Sequence, residues 1–546
     1  MNARPTAVIT RWRSRWPWQL AALLVCAVVL APLAHIGVSL LTPAGDGWRH
    51  VVDTLLWRYL SGTAAVTSMT MLWALIFGVL PAWLVTAFRF PGDRALAWLL
   101  AAPLAVPSYI AAIAWAGLLD FTGPVQTTVR EAIGPDAAAW VPDIMTVYGV
   151  SFVLGSVLYP YVYVTTRALL MRQSATLIEA ARCLGAGPTA AFMRVVLPTL
   201  RPALVAGLAL VAMETVNDYG AVHLYGVDTF TTGIFKAWLG QSDVASAVRL
   251  AAVLLVLTAA VLGLERVGRG RRRFDDGGTT RPLSRWQLSG VHAAAAMVTC
   301  STPVVLGLGV PVGMLGYWTQ FTWTSVDWGA FAELAGRSLG LAVGAALIVV
   351  TASVTLAYAT RVARHRWLKL LSGAAGTGYA VPGAVIAVGV FALGATFNGL
   401  AQRTGLVSAQ TLLMGGSVGA LLWAYAVRFL AVGLQPVQAG FTRQGAGLDQ
   451  AARTLGAGPW RTLTTVHLPL LRGTLLGAAT LAFVDVLKEL PLTLILRPFD
   501  FETLATHTYQ LASEEQVMAS APGALLLVAF GLVAVAVAQR GLLEDP

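Results

Sequence analysis

Long apolar runs, each close to the length of one bilayer crossing, alternate along the chain with short polar or basic connections. A crossing takes about 20 apolar residues at helical rise. Such runs lie near 18–41, 63–87, 95–119, 145–170, 202–222 and 250–265, and again near 288–318, 338–360, 370–398, 410–435, 473–496 and 520–538. Lipid offers no partner to a bare peptide group, so each run reads as a helix. The pattern predicts an all-α polytopic membrane protein of about twelve transmembrane helices, six per half. The first run follows Arg4, Arg11, Arg13 and Arg15 and is longer than the apolar core of a signal peptide, so it is expected to remain as a span.

Composition agrees with the pattern. The 546 residues are 57% hydrophobic and only 12% charged, about half the charged share of a soluble domain. The formal net charge of +11 does not point to nucleic acid, because the cations sit between the apolar runs. Of the 37 lysines and arginines, eight fall in one set of alternate connections: Arg49, Arg58, Arg130, Lys236, Arg249, Arg337, Arg403 and Arg497. Arg167, Arg428 and Lys488 fall within spans, and the rest lie in the other set and at the termini. By the positive-inside rule both termini are expected to be cytoplasmic, with the connections 88–94, 171–201, 266–287, 361–369 and 436–472.

Two of these cytoplasmic connections repeat one another. Glu179-Ala-Ala-Arg-Cys-Leu-Gly185-Ala-Gly-Pro at the first returns as Gln450-Ala-Ala-Arg-Thr-Leu-Gly456-Ala-Gly-Pro, and each closes on Leu-Pro, at Pro198 and Pro469. Over 23 positions without a gap, 13 are identical at an offset of 271. The repeat divides the chain into two parallel modules, 1–265 and 288–546, joined by a polar, glycine-bearing, arginine-rich linker at 266–287. Within each loop the alanines, arginine and leucine favour a short helix, which the glycine ends. A proline at the first turn of the next helix then costs little.

This loop resembles the EAA motif of permease subunits of binding-protein-dependent ABC importers. The first copy satisfies the pattern; the second has Gln450 where the family has Glu. The resemblance implies a type I ABC importer transmembrane fold and docking of two copies of a separate ATPase subunit. The docking residues it implies are Glu179, Ala180, Ala181, Gly185 and Pro198 in the first loop, and Gln450, Ala451, Ala452, Gly456 and Pro469 in the second. A substrate-binding protein on the outer side and the lipid bilayer are the other implied partners. The compartment implied is a bacterial inner membrane.

The chain carries no site of its own for using ATP. A phosphate-cradling loop ends in Gly-Lys-Ser/Thr. The only lysines, Lys236, Lys369 and Lys488, follow Phe, Leu and Leu. The seven histidines form no His-Glu-x-x-His, no serine sits in a nucleophile-elbow motif, and Cys26, Cys183 and Cys300 lack metal-ligand spacing. No catalysis, resident cofactor, certain metal site or disulfide is expected. ATP with magnesium would be used by the partner.

Charges inside spans remain as pointers to function. Glu214 and Asp218 are spaced i,i+4, and Asp485 and Glu489 repeat the pair at the offset of 271. Four such carboxylates would line a polar pathway and attract a hard cation; alternatively they serve packing, with Lys488 pairing Asp485. Phe230 aligns with Phe501 and Thr232 with Thr503 at the same offset, and Ala105-Val106-Pro107 is echoed by Ala380-Val381-Pro382. The words Glu214-Thr-Val-Asn-Asp218-Tyr-Gly-Ala and Asp485-Val-Leu-Lys-Glu489-Leu-Pro-Leu-Thr look similar to the two halves of ferric-iron importer permeases. Fused thiamine and aminoethylphosphonate permeases share the architecture. A secondary transporter or channel, or a membrane scaffold, would share the spans but not two docking loops.

Overall fold

A segment in hydrocarbon must satisfy its own backbone, and this chain does so with helices almost throughout. The structure, a computed structural model, describes all residues except 1–15, 44, 135, 137–139, 173–182, 184, 186, 188, 189, 191, 270–284, 364, 405–415 and 544–546. Among the described residues, ten helices are long and apolar enough to cross a membrane, and two bent pairs raise the number to as many as twelve.

The first half contributes α1 (Trp16–Ser39), α2 (Leu56–Ala87), α3 (Ser108–Leu119), α4 (Val147–Arg172), α5 (Arg201–Asn217), the short α6 (Gly220–Leu224) and α7 (Phe230–Phe235), and α8 (Val244–Arg269). The second contributes α9 (Gly290–Thr322), α10 (Trp328–Ala363), α11 (Gly383–Arg403), α12 (Val418–Arg443), α13 (Gly447–Thr454), α14 (Leu468–Leu487), α15 (Pro491–Leu496), α16 (Leu504–Ser513) and α17 (Val517–Leu543). Pro107 and Pro382 do not kink a continuous helix. Each is the residue before α3 or α11, in an extended conformation after a 3₁₀ turn, where a proline has no hydrogen bond to lose.

The halves exchange their first helices. α1 touches its own α8 but lies mainly against α10 and α11 of the second half. α9 packs along α17 of its own half and also against α2 and α3 of the first half. An indole ties each first helix to the other half: Trp423 Nε1 on α12 donates to the Val28 carbonyl of α1 at 2.9 Å, and Trp115 Nε1 on α3 to the Leu306 carbonyl of α9 at 3.2 Å. A two-stranded parallel clasp starts the second exchange, with Phe88–Arg89 pairing Trp286–Gln287 and Arg285 in an ion pair with Asp93 at 2.8 Å. The chain thus returns to the end of α2 before α9 begins. Packing between the modules therefore crosses the sequence boundary at 266–287.

The repeat continues past the loops, but not at a constant offset. Thr229 and Thr232 form a capping box at the start of α7, and Thr503 and Thr506 form one at the start of α16. In each half the next backbone N–H donates to a hydroxyl on the long second helix, Phe230 to Thr63 at 3.0 Å and Leu504 to Ser338 at 2.8 Å. Thr503 is therefore the counterpart of Thr229, not of Thr232. Three extra residues in the second half, between Glu489 and Thr503, shift the register.

Candidate functional site

The two broken spans bring all four intramembrane carboxylates to one cavity of about 110 Å³ between the halves. α5 ends at Asn217 and restarts as α6; α14 ends at Leu487 and restarts as α15. Each break leaves backbone N–H groups without helical partners, and a carboxylate takes them. Asp218 Oδ1 accepts from the N–H of Ala221 at 3.0 Å and Val222 at 3.2 Å. Glu489 accepts from Leu492 and Thr493 at 3.1 Å each, and from the Thr493 hydroxyl at 3.0 Å. The acceptors and donors correspond at the offset of 271. Asp218 and Glu489 thus hold the restarted helices while also lining the cavity.

The other pair is placed differently. Asp485 makes an ion pair with Lys488 at 3.0 Å. Glu214 lines the cavity and makes no hydrogen bond or ion pair among the described residues. Tyr161 and Tyr379 complete this wall.

Several lining residues were not singled out from sequence. Arg428 on α12 is 5% exposed; its Nη1 donates to Asn217 Oδ1 at 2.9 Å, while its Nε finds no partner among the described residues. Asn217 Oδ1 also accepts from the Gly383 N–H at 2.6 Å, so this one side chain ties α5 to α11 and α12 across the halves. Gly383 has no room for a side chain, since a Cβ there would stand 2.7 Å from Glu489 Oε1 and 2.8 Å from Arg428 Nη1. On the other side Ser108 donates to Asp218 Oδ2. A charge inside an apolar run marked Arg428 in the sequence; nothing in the sequence marked Asn217 as its partner.

At the far end of α14 lies the second repeated loop. α13 ends in a Schellman turn: Gly456 N–H donates to Arg453 at 3.0 Å, Ala457 N–H to Ala452 at 2.9 Å, and Gly456 takes φ +76°. A positive φ is what glycine supplies at such a corner, and Gly185 in the first loop takes φ +83°. Asp449 and Ala452 face inward, whereas Gln450, Ala451, Leu455 and Trp460 are exposed. Pro469 sits in the first turn of α14 after a π-turn at Leu463–His467, and 459–487 passes as one span; the first half has the matching π-turn at Phe192–Val196. In the first half Pro198 sits in a bend of 61° before α5. Glu179, Ala180 and Ala181 lie outside the described residues.

Outside the spans, one acid per half gathers two basic side chains before the capping box. Asp228 meets Arg58 and Lys236, both at 2.6 Å; Glu502 meets Arg497 at 3.1 Å and His507 at 2.8 Å. Burial pushes the Glu502 carboxyl up, but hydrogen bonds from His507 and Arg497 outweigh it and hold the group below the usual carboxylate range.

Two related helical halves around a polar cavity define a multi-pass membrane permease. Residues 74–268 match the family model described as binding-protein-dependent transport system inner membrane component. The chain is 31% identical over 216 residues to a probable sulfate transport system permease protein of Chlorokybus atmophyticus, covering 38% of this chain and 70% of that one. It is 26% identical over 482 residues to the Fe(3+)-transport system permease protein FbpB 2 of Haemophilus influenzae, covering 86% of this chain and 87% of that one. A sulfate transport system permease protein of Escherichia coli is 30% identical over 204 residues, 37% of this chain and 70% of its own. The chain belongs to the family of inner membrane components of binding-protein-dependent transport systems, and it is a transport subunit.

Proposed function

We propose that this chain is the fused translocation subunit of an ABC importer for ferric iron, working by alternating access. The observation that carries the iron reading is the cavity, where Glu214, Asp218, Asp485 and Glu489 outnumber Arg428 and Lys488 two to one. Such a lining repels a dianion such as sulfate and attracts a hard cation. No three of the described His, Cys, Asp or Glu side chains converge as a metal-holding group. Carboxylates spread along a wall suit passage, which needs weak and multiple contacts rather than a tight site. The match to the iron permease also runs through both halves, whereas the sulfate permeases cited above cover about two fifths of the chain.

In this reading the two modules, 1–265 and 288–546, present their loops to two copies of an ATPase in the cytoplasm, where both termini also lie. The ATPase binds the ATP and magnesium. A substrate-binding protein meets the outer surface, and closure of the ATPase pair moves the loops together and turns the cavity outward. The test is uptake by vesicles holding the chain, its ATPase and its binding protein. Iron accumulation that needs ATP, with no accumulation of sulfate, thiamine or aminoethylphosphonate, is the expected result. Uptake of one of those instead rejects the iron reading, and iron uptake without an ATPase makes the chain a secondary transporter or channel.

A further inference from the structure

The second loop carries a buried polar network that the first loop's sequence does not encode. Arg361, near the end of α10, donates its Nε to Asp449 Oδ2 at 2.8 Å, and its Nη2 lies 2.8 Å from the same oxygen. The rest of its guanidinium donates to the carbonyls of Phe441 and Gly445, at the end of α12 and the turn beyond it. On the other side of Asp449, Oδ1 meets His467 Nε2 at 3.0 Å, and His467 Nδ1 meets Gln444 Oε1 at 2.6 Å. The His467 side chain is 0% exposed. Four side chains thereby join α10, the end of α12, α13 and the start of α14.

At the offset of 271 the first loop has Gln173, Ile178 and Val196 where the second has Gln444, Asp449 and His467. At the offset that pairs Thr63 with Ser338, Thr86 stands in place of Arg361. Val196 is fully buried in an apolar cluster. The loop that gains the network is also the loop that has Gln450 in place of the acidic Glu179 of the first copy. Asp449, one residue earlier, points its carboxylate inward, and Gln450 stays exposed.

We propose that Arg361, Asp449 and His467 are positioning residues that clamp the docking helix α13 to the bundle, so that displacement by the ATPase passes into α10 and α14 without being lost in the loop. This rests on the docking role given above to the repeated loops. The physical reason is the strength and direction of charge-assisted hydrogen bonds in a largely buried site. α13 has only eight residues and gains little from helix propensity alone. Without the clamp its inward face keeps only Ala452 as a buried contact.

The experiment has two arms. Amide exchange is measured on the purified full chain, without the ATPase, for the wild type, Asp449→Asn, Arg361→Gln and the double variant. Exchange across Gly447–Leu455 should be about tenfold faster in each, the change expected when a charge-assisted contact becomes a neutral one, and the double variant should be no faster than either single. Iron carried per ATP hydrolysed is then measured in vesicles, where all three variants should fall about threefold or more while still co-purifying with the ATPase. His467→Gln, which keeps a side-chain donor, should restore part of the loss that His467→Leu causes. Wild-type exchange and wild-type coupling in Asp449→Asn overturn the clamp, as do additive effects in the double variant. Should Asp449→Asn not be recovered, Arg361→Gln decides by the same comparison. A wild-type chain that binds no ATPase overturns the docking role itself, a result the exchange arm does not share.

Discussion

The two halves of this molecule agree where the backbone must be held and differ where charge is displayed. Asp218 and Glu489 take the same two N–H groups at each broken span, and the N–H after each capping threonine donates to a hydroxyl on the long second helix, Thr63 on α2 or Ser338 on α10. Along the cavity, by contrast, Arg428 stands opposite its counterpart Val157, and Lys488 opposite Asn217. The difference teaches that the repeat preserves a frame of hydrogen bonds, whereas the second half supplies both cavity cations. The polar bridge from Asn217 to Arg428 and Gly383 joins the unlike partners.

The harshest way to break this comparison is to remove the cation that only one half has. Arg428→Leu leaves Asn217 and Glu489 facing a buried apolar side chain, a change that costs about 3–5 kcal/mol when a buried charge loses its partner. Val157→Ala, at the matching position, should cost about 1–2 kcal/mol, near the low end for trimming a buried aliphatic side chain. Thermal unfolding of the detergent-purified protein checks both. Equal losses would mean that the halves do not differ in the way described.

A sharper test uses the features that match. Asp218→Ala and Glu489→Ala should each cost about 1–2 kcal/mol, since each leaves two helix-start N–H groups unmet. Thr229→Ala and Thr503→Ala should each cost about 1 kcal/mol and agree with one another. The second pair also checks the register, because the discarded pairing would set Thr232 against Thr503. Denaturant unfolding monitored by intrinsic fluorescence reads all four.

The smallest effect lies on the outer surface. The Glu502 carboxyl is held below its usual range, so the contacts from Arg497 and His507 contribute stability that is present above the unfolded carboxylate value. That contribution is lost as pH falls through the lower folded value. Protection of the amides at the start of α16, taken relative to their intrinsic exchange rate at each pH, should therefore fall on acidification below the usual carboxylate range, and Glu502→Gln should remove the dependence. Because the pair is partly exposed, salt should weaken the effect.

The sequence made the spans legible because lipid tolerates only long apolar runs with satisfied backbones. It made the intramembrane carboxylates legible because each is costly unless something uses it. The exchange of α1 and α9 stayed hidden, since helices that face lipid and helices that face other helices are both apolar. The Arg361–Asp449–His467 network also stayed hidden, because it joins positions 88 and 18 residues apart that no periodicity connects. The shift of register beyond Glu489 was masked by threonine-rich words that align at two offsets. Glu179, Ala180 and Ala181 lie outside the described residues, so the docking role proposed for the first loop rests on its sequence.

In the function proposed above, a carboxylate-lined cavity between unlike halves carries a cation inward under the control of an ATPase. The most direct measurement is ATP-dependent uptake of radioactive ferric iron by reconstituted vesicles, wild type against the Glu214→Gln, Asp485→Asn double variant, with assembly of the complex checked in the same preparation. Neither substitution removes a helix-capping contact, so the complex should assemble. Uptake should fall about tenfold or more, the loss expected when two charges are taken from the wall of a desolvated path. Wild-type uptake by an assembled double variant would contradict the account.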